Sequence, residues 1–176
     1  MFKILVCAGL FTLLPLQAKN ETLPSRISEM KQWVNKYPHE EISGVSLLTL
    51  KVFKNHLMKA LGRKKYKEYL LIEDKATVFP VKQSRDFLHV SMCEAHNCGG
   101  HEFHFFINTK ESKIFICEQE MKFPKAKIET PVKLQVTWYG TINHVRINNQ
   151  HCDVYDEKTR DIDWEKTISQ IPNKIR

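Results

Sequence analysis

This chain carries no Gly-x-Ser-x-Gly elbow, no glycine-rich phosphate-cradling loop and no Cys-x-x-Cys redox pair. Those absences remove the support that sequence could give to a serine hydrolase, a nucleotide enzyme or a thioredoxin-like oxidoreductase. Carboxylates are abundant, yet no pair is set apart in an apolar environment, so nothing points to a general acid and base. No internal repeat, low-complexity tract or second long apolar segment interrupts the chain. The expectation is a non-catalytic protein without a cofactor.

What is present begins at the N-terminus. Met1-Phe2-Lys3 is a short positive start, and Ile4 to Leu16 is an almost unbroken apolar run. That run is too short to span a bilayer. Gln17-Ala18 supplies a small residue for cleavage, so residues 1–18 read as a signal peptide, and Cys7 is lost with it. Residues 19–176 are then one domain, with a helical extension over about 19–45 and no integral membrane span. The mature chain stays basic, one unit below the +7 of the full sequence. Four cysteines remain, an even count that suits an oxidising periplasmic or extracellular compartment.

Periodicity supplies the architecture. Ser25 is placed to cap a helix to about Tyr37 with Ile27, Met30, Trp33 and Val34 on one stripe, stopped by Pro38. A second helix is expected from Ser46 to Leu61, with Val52, Phe53, His56, Leu57, Ala60 and Leu61 on one face, Gly62 as its terminator and Arg63-Lys64-Lys65 complementing its C-terminal dipole. From Thr77 the period changes to two. Phe87, Val90 and Met92 suggest one strand, Phe103 to Glu118 a hairpin with a polar turn, Leu134 to Trp138 a strand with one wet face, and Val145 with Ile147 another. A short helix around Trp164, Ile168 and Ile171 ends before Pro172. The fold expected is α+β, an antiparallel sheet with helices packed against it. Phe103, Phe105, Phe106, Trp138 and Trp164 read as core.

The chemistry-bearing stretch is Cys93-Glu94-Ala95-His96-Asn97-Cys98, followed by Gly99-Gly100 and set between two strand-like runs. The four mature cysteines allow three pairings. We favour Cys93 with Cys98, adjacent in sequence, and Cys117 with Cys152, which would tie a central strand to the C-terminal region. Closing the small ring removes about 2 kcal/mol of loop-closure entropy from the unfolded chain. A metal site drawn from Cys93, His96, Cys98, His101 and His104 is the competing reading. Its spacing matches no common zinc pattern, and its thiolates would compete with the disulfide. His101 and His104, three apart on a strand, also face opposite sides.

A preorganised ring lowers the ordering cost of binding, and an imidazole can donate hydrogen bonds to carboxylates. Cys93-x-x-His96-x-Cys98-Gly99, preceded by a strand ending Val90-Ser91-Met92 and followed by a hairpin, resembles the bacterial inhibitors of vertebrate lysozyme, the Ivy family. The resemblance covers about Leu57 to Glu118. It implies that the cysteine-bracketed loop protrudes from an α+β domain into a lysozyme active-site groove, with His96 meeting the catalytic carboxylates. Glu94, Ala95, Asn97, Gly99 and Gly100 would accompany His96 at the interface. The family type carries a lysine and a proline before the histidine and an aspartate after it, where this chain has Glu94, Ala95 and Asn97. The implied partner is a c-type lysozyme or a related muramidase, with a homodimer left open and no nucleic acid. An extracytoplasmic metal-binding protein, or an envelope-binding protein of the same fold without inhibitory activity, are the alternatives.

Overall fold

The computed structural model describes residues 26–122, 133–140, 143–148 and 150–176. The signal peptide expected at 1–18, the first part of the extension and the Ser25 cap lie outside the described residues. Ile27–Trp33 forms a 3-10 helix rather than the expected α-helix to Tyr37. Its buried residues Ile27, Met30 and Trp33 recur every third position, which is the period of a 3-10 helix. The chain then turns extended at Val34, which bridges Val81, while Trp33 Nε1 donates to the Glu40 carbonyl at 2.9 Å.

A 3-10 turn at Leu47–Thr49 leads into α1, Lys51–Glu73. Phe53, Leu57 and Leu61 repeat at four-residue spacing and bury one face, with His56 half-buried and its Nδ1 2.8 Å from the Val52 carbonyl oxygen. Here the structure corrects the sequence reading. Gly62 does not end the helix but breaks it at a single residue, with φ 71° and ψ 162°, and the chain resumes its helical course to Glu73. The run Arg63-Lys64-Lys65 therefore sits inside the second segment and not at a C-terminus. That segment buries Tyr69 edge-on against Phe103 and Phe105, with ring centroids 5.5 and 5.8 Å apart.

Seven strands follow: β1 (Thr77–Val78), β2 (Lys82–Ser84), β3 (Phe87–Cys93), β4 (His101–Asn108), β5 (Lys113–Lys122), β6 (Lys133–Tyr139) and β7 (His144–Asn148). All pair antiparallel in the order β1-β3-β4-β5-β6-β7, with β2 sharing the outer edge of β3. A sheet with helices on it is the expected α+β architecture. Both faces are packed. Leu88, Val90, Met92, Phe103, Phe105, Ile107, Ile114 and Ile116 meet α1 and the 3-10 segments. Phe106, Phe115, Cys117, Val136 and Trp138 meet Cys152, Ile171 and Ile175 of the C-terminal segment.

Two-sided burial changes two strand readings. Phe87 packs with the second cluster, opposite Val90 and Met92, because positions three apart on a strand point to opposite faces. Thr137, expected on a wet face, is 4 % exposed. The short helix α2, Trp164–Ser169, is capped by Asp163, whose Oδ1 accepts from the Lys166 amide at 3.1 Å. Trp138 is fully buried and Trp164 half-buried. Among the described residues no helix is long and apolar enough to cross a membrane.

Gly62 offers a test. A Cβ there meets nothing within 4 Å, so its cost is purely conformational. Gly62→Ala should destabilise the domain by about 1–3 kcal/mol, because that backbone region is nearly restricted to glycine. An unbroken helix would instead gain about 1 kcal/mol from the same change. Urea denaturation distinguishes the two signs.

Candidate functional site

The β3–β4 connection is closed at its base by the Cys93–Cys98 bond, with Cα atoms 4.9 Å apart. Cys93 is the last residue of β3, fully buried and in register with Glu102. Cys98 is exposed, so the bond straddles the point at which the chain leaves the core. Beyond it the Glu94 amide donates to the His101 carbonyl at 3.0 Å, and the Asn97 amide closes a turn on the Glu94 carbonyl at 2.9 Å. His96 occupies that turn with φ 62° and is exposed to solvent. A non-glycine residue in the left-handed region costs about 1–2 kcal/mol. The surrounding bonds hold it there.

Those bonds are dense. The Asn97 carbonyl accepts from the amides of Gly100 and His101 at 2.9 and 3.0 Å, and the Gly99 amide donates to Glu102 Oε1 at 2.6 Å. Gly99 is itself at φ 86°. A Cβ on Gly100 would lie 1.9 Å from Asn97 Oδ1, so a larger residue there would displace the Asn97 side chain from its present place. Asn97 Nδ2 donates to Glu94 Oε2 at 2.8 Å. The two residues that differ most in charge from the family type thus grip one another across the turn and stiffen a loop that lacks a proline. Ala95, Gly99 and Gly100 are half-buried, as is Glu94, whereas His96 and Asn97 are exposed.

The loop is anchored to the scaffold by two polar groups on opposite sheet faces. On the α1 face, the Glu118 carboxylate receives Lys65 Nζ at 2.6 Å, His101 Nε2 at 2.9 Å and the Tyr139 hydroxyl at 2.6 Å. One carboxylate therefore joins α1, β4, β5 and β6. Burial alone would raise the Glu118 carboxyl, but the hydrogen bonds from His101, Lys65 and Tyr139 outweigh it and hold the group down at about 2. Burial opposes the charge of Lys65, yet pairing with Glu118 and Glu68 leaves its ammonium above the ordinary range. The Tyr139 phenol is pushed up by burial and by the facing Glu118 carboxylate.

On the other face, His104 Nε2 lies 3.0 Å from Glu102 Oε2, and His104 Nδ1 lies 3.0 Å from His89 Nε2 and 3.5 Å from Asp153 Oδ2. The hydrogen bond from His104 lowers the Glu102 carboxyl against the opposing effect of burial. Burial, then the neighbouring His104 and Lys82, presses the His89 imidazole well below its ordinary range. The expected flanking histidines therefore part company: His101 serves the α1 face and buried His104 the C-terminal face. The Cys/His metal cluster is not assembled. Both of its thiols form the disulfide, and its three histidines diverge.

The second bridge joins Cys117 to Cys152, with Cα atoms 5.7 Å apart. Lys65, Glu118, Tyr139, His89 and Asp153 were not singled out from sequence. Each meets its partners only through strand register, the packing of α1 on the sheet or the return of the C-terminal segment. For His89 one signal existed, since alternation against Leu88 and Val90 puts it on the face of His104.

This geometry can now be set beside known proteins. The family described as Inhibitor of vertebrate lysozyme (Ivy) matches residues 52–144. The chain belongs to the Ivy family. The match runs from α1 through the cysteine-closed loop to the start of β7, beyond both ends of the stretch from Leu57 to Glu118 that carries the resemblance. No curated protein and no solved structure gives a significant match. Membership in Ivy supports a role in lysozyme inhibition and a class of inhibitors rather than enzymes.

The Glu118 junction predicts an acid response. Its carboxyl lies near 2 in the fold and near its ordinary 4.5 in the unfolded chain, so the unfolded state binds more protons between those values. The resulting stabilisation is fully present above pH 4.5 and is lost as pH falls towards 2, roughly 3 kcal/mol in total. Glu118→Gln should flatten the fall in stability over that window, read by denaturant midpoints at successive pH values. An unchanged slope would remove Glu118 as its source.

Proposed function

We propose that this protein is an exported, non-catalytic inhibitor of c-type lysozyme that acts by inserting the Cys93–Cys98 loop into the active-site cleft. In this reading residues 1–18 direct export, and residues 19–176 form one Ivy domain with an N-terminal helical extension to about residue 45. The two disulfides fit an oxidising compartment, periplasmic or extracellular. The observation that carries the proposal is an exposed imidazole at the tip of a loop whose flanking Glu94, Asn97 and Gly99 are already engaged in hydrogen bonds within the domain.

The physical logic follows from that arrangement. Glycosidase clefts of this kind carry a pair of carboxylates flanking the scissile bond. An imidazole can donate to one of them when neutral and to both when protonated. Because the ring, the turn and the Asn97–Glu94 pair order the loop beforehand, little conformational freedom remains to be lost on docking. His96 would contact the carboxylates, Asn97 and Ala95 the adjoining walls, and Glu94, Gly99 and Gly100 the rim. The net positive charge of the chain repels a basic lysozyme at long range. Glu94 and Glu102 flank the loop and place negative charge there, where separations fall within a Debye length of about 10 Å.

Two variants test this. His96→Ala should weaken inhibition of a c-type lysozyme by roughly 2 kcal/mol, about 30-fold in the inhibition constant, if His96 is an interface hot spot. Replacing Cys93 and Cys98 together by alanine should weaken inhibition while the melting transition of the domain persists. Unchanged potency in His96→Ala, with wild-type protein inhibiting, would refute the assigned role.

A further inference from the structure

The face of the sheet away from α1 holds a polar cluster whose Glu102 anchors the loop and whose buried members His89, His104 and Asp153 would not touch a lysozyme. His89 on β3 and His104 on β4 are diagonal neighbours on that face, since His89 pairs with Phe106 and His104 with Ser91. On its other side His104 is in register with Cys117, and Cys117 is bonded to Cys152. Asp153 is the next residue. The second disulfide therefore delivers a carboxylate from the C-terminal segment onto the two imidazoles. His89 and His104 are each 3 % exposed and Asp153 is 8 % exposed.

With His104 neutral, the hydrogen-bond inventory of this cluster does not close. His104 Nε2 faces the Glu102 carboxylate at 3.0 Å and can only donate to it, which leaves the neutral ring with a lone pair on Nδ1. That lone pair faces His89 Nε2 at 3.0 Å and Asp153 Oδ2 at 3.5 Å. A proton on His89 Nε2 satisfies the first contact. It leaves Asp153 Oδ2 cut off from solvent, opposite a lone pair and without a hydrogen-bond partner among the described residues. Three electron-pair donors converge there, all within 4.8 Å of one another.

We propose that His89 Nε2, His104 Nδ1 and Asp153 Oδ2 form a binding site for a divalent transition-metal ion of the zinc type. Two imidazoles and a carboxylate are a donor set such ions accept. Ligand bonds of 2.0–2.1 Å in a tetrahedron set donor atoms about 3.3 Å apart, and the two shortest donor separations here are 3.0 and 3.5 Å. Glu102 takes the part that carboxylates commonly play behind a metal-bound histidine, fixing the tautomer that leaves Nδ1 free. The His89 proton moves to Nδ1 when the ion binds. Access is provided by a cleft of about 810 Å³, which His104 and Asp153 line together with Glu102, His151 and Tyr155. With both thiols of the loop oxidised, no cysteine is needed.

The site is independent of lysozyme binding, and its test involves no lysozyme. Zinc is titrated by equilibrium dialysis into the oxidised, previously chelator-treated protein, while the ring nitrogens of its histidines are followed by NMR. One ion per chain should bind, shifting the His89 and His104 ring signals. Asp153→Asn should weaken that binding at least tenfold with an unchanged melting profile in chelator, and His96→Ala should bind as wild type. If Asp153→Asn does not fold, the wild-type ring signals decide. No stoichiometric binding, binding that leaves the His89 and His104 signals unmoved, or full affinity in folded Asp153→Asn would overturn the proposal.

Discussion

Cys93 is at once the end of a buried strand and half of a covalent ring, and the rest of the site depends on that coincidence. Its backbone is held in register with Glu102 inside a sheet packed on both faces, so the loop starts from a fixed point. The sulfur then fixes where the loop ends. Within a ring of this size the turn hydrogen bonds have few competitors, and a histidine can be kept at positive φ with its side chain in solvent. If the loop inserts as proposed, one without the bridge would have to find that conformation on binding and would lose affinity in doing so.

The two faces of the sheet divide the labour. On the α1 side, a single carboxylate ties the second helical segment to three strands and to His101, just past the loop. On the C-terminal side, His104 is gripped by Glu102, whose other oxygen accepts the Gly99 amide. Glu102 thereby links the loop glycines to the buried imidazoles. The pseudo-continuous helix with its break at Gly62 serves the same end, because Tyr69 reaches the Phe103 and Phe105 rings from the segment after the break.

Local features were legible in the sequence and long-range ones were not. The hairpin, its polar turn, the cysteine-closed loop and the closing helix declare themselves through alternation, spacing and proline. Gly62 after an apolar stripe reads as a stop, and only the packing of Tyr69 shows that the helix resumes. Lys65 read as charge complementing a helix C-terminus because its partner, Glu118, lies on a strand far along the chain. Asp153 carried no signal at all, since its place depends on which cysteine Cys152 joins. The wet face assigned to β6 failed for the same reason: Thr137 is in register with buried Glu118 on the α1 face, and what packs there comes from elements distant in the chain.

The central claim is that a preordered loop, and no other surface, enters the lysozyme groove. Titrating a c-type lysozyme into the isotope-labelled oxidised protein, and following backbone amides by NMR, tests it most directly when repeated with a chito-oligosaccharide filling the groove. The account predicts that the amides of residues 94–100 shift or broaden first and that the sugar suppresses the effect. Perturbation centred elsewhere on the domain, or binding indifferent to the sugar, would contradict it.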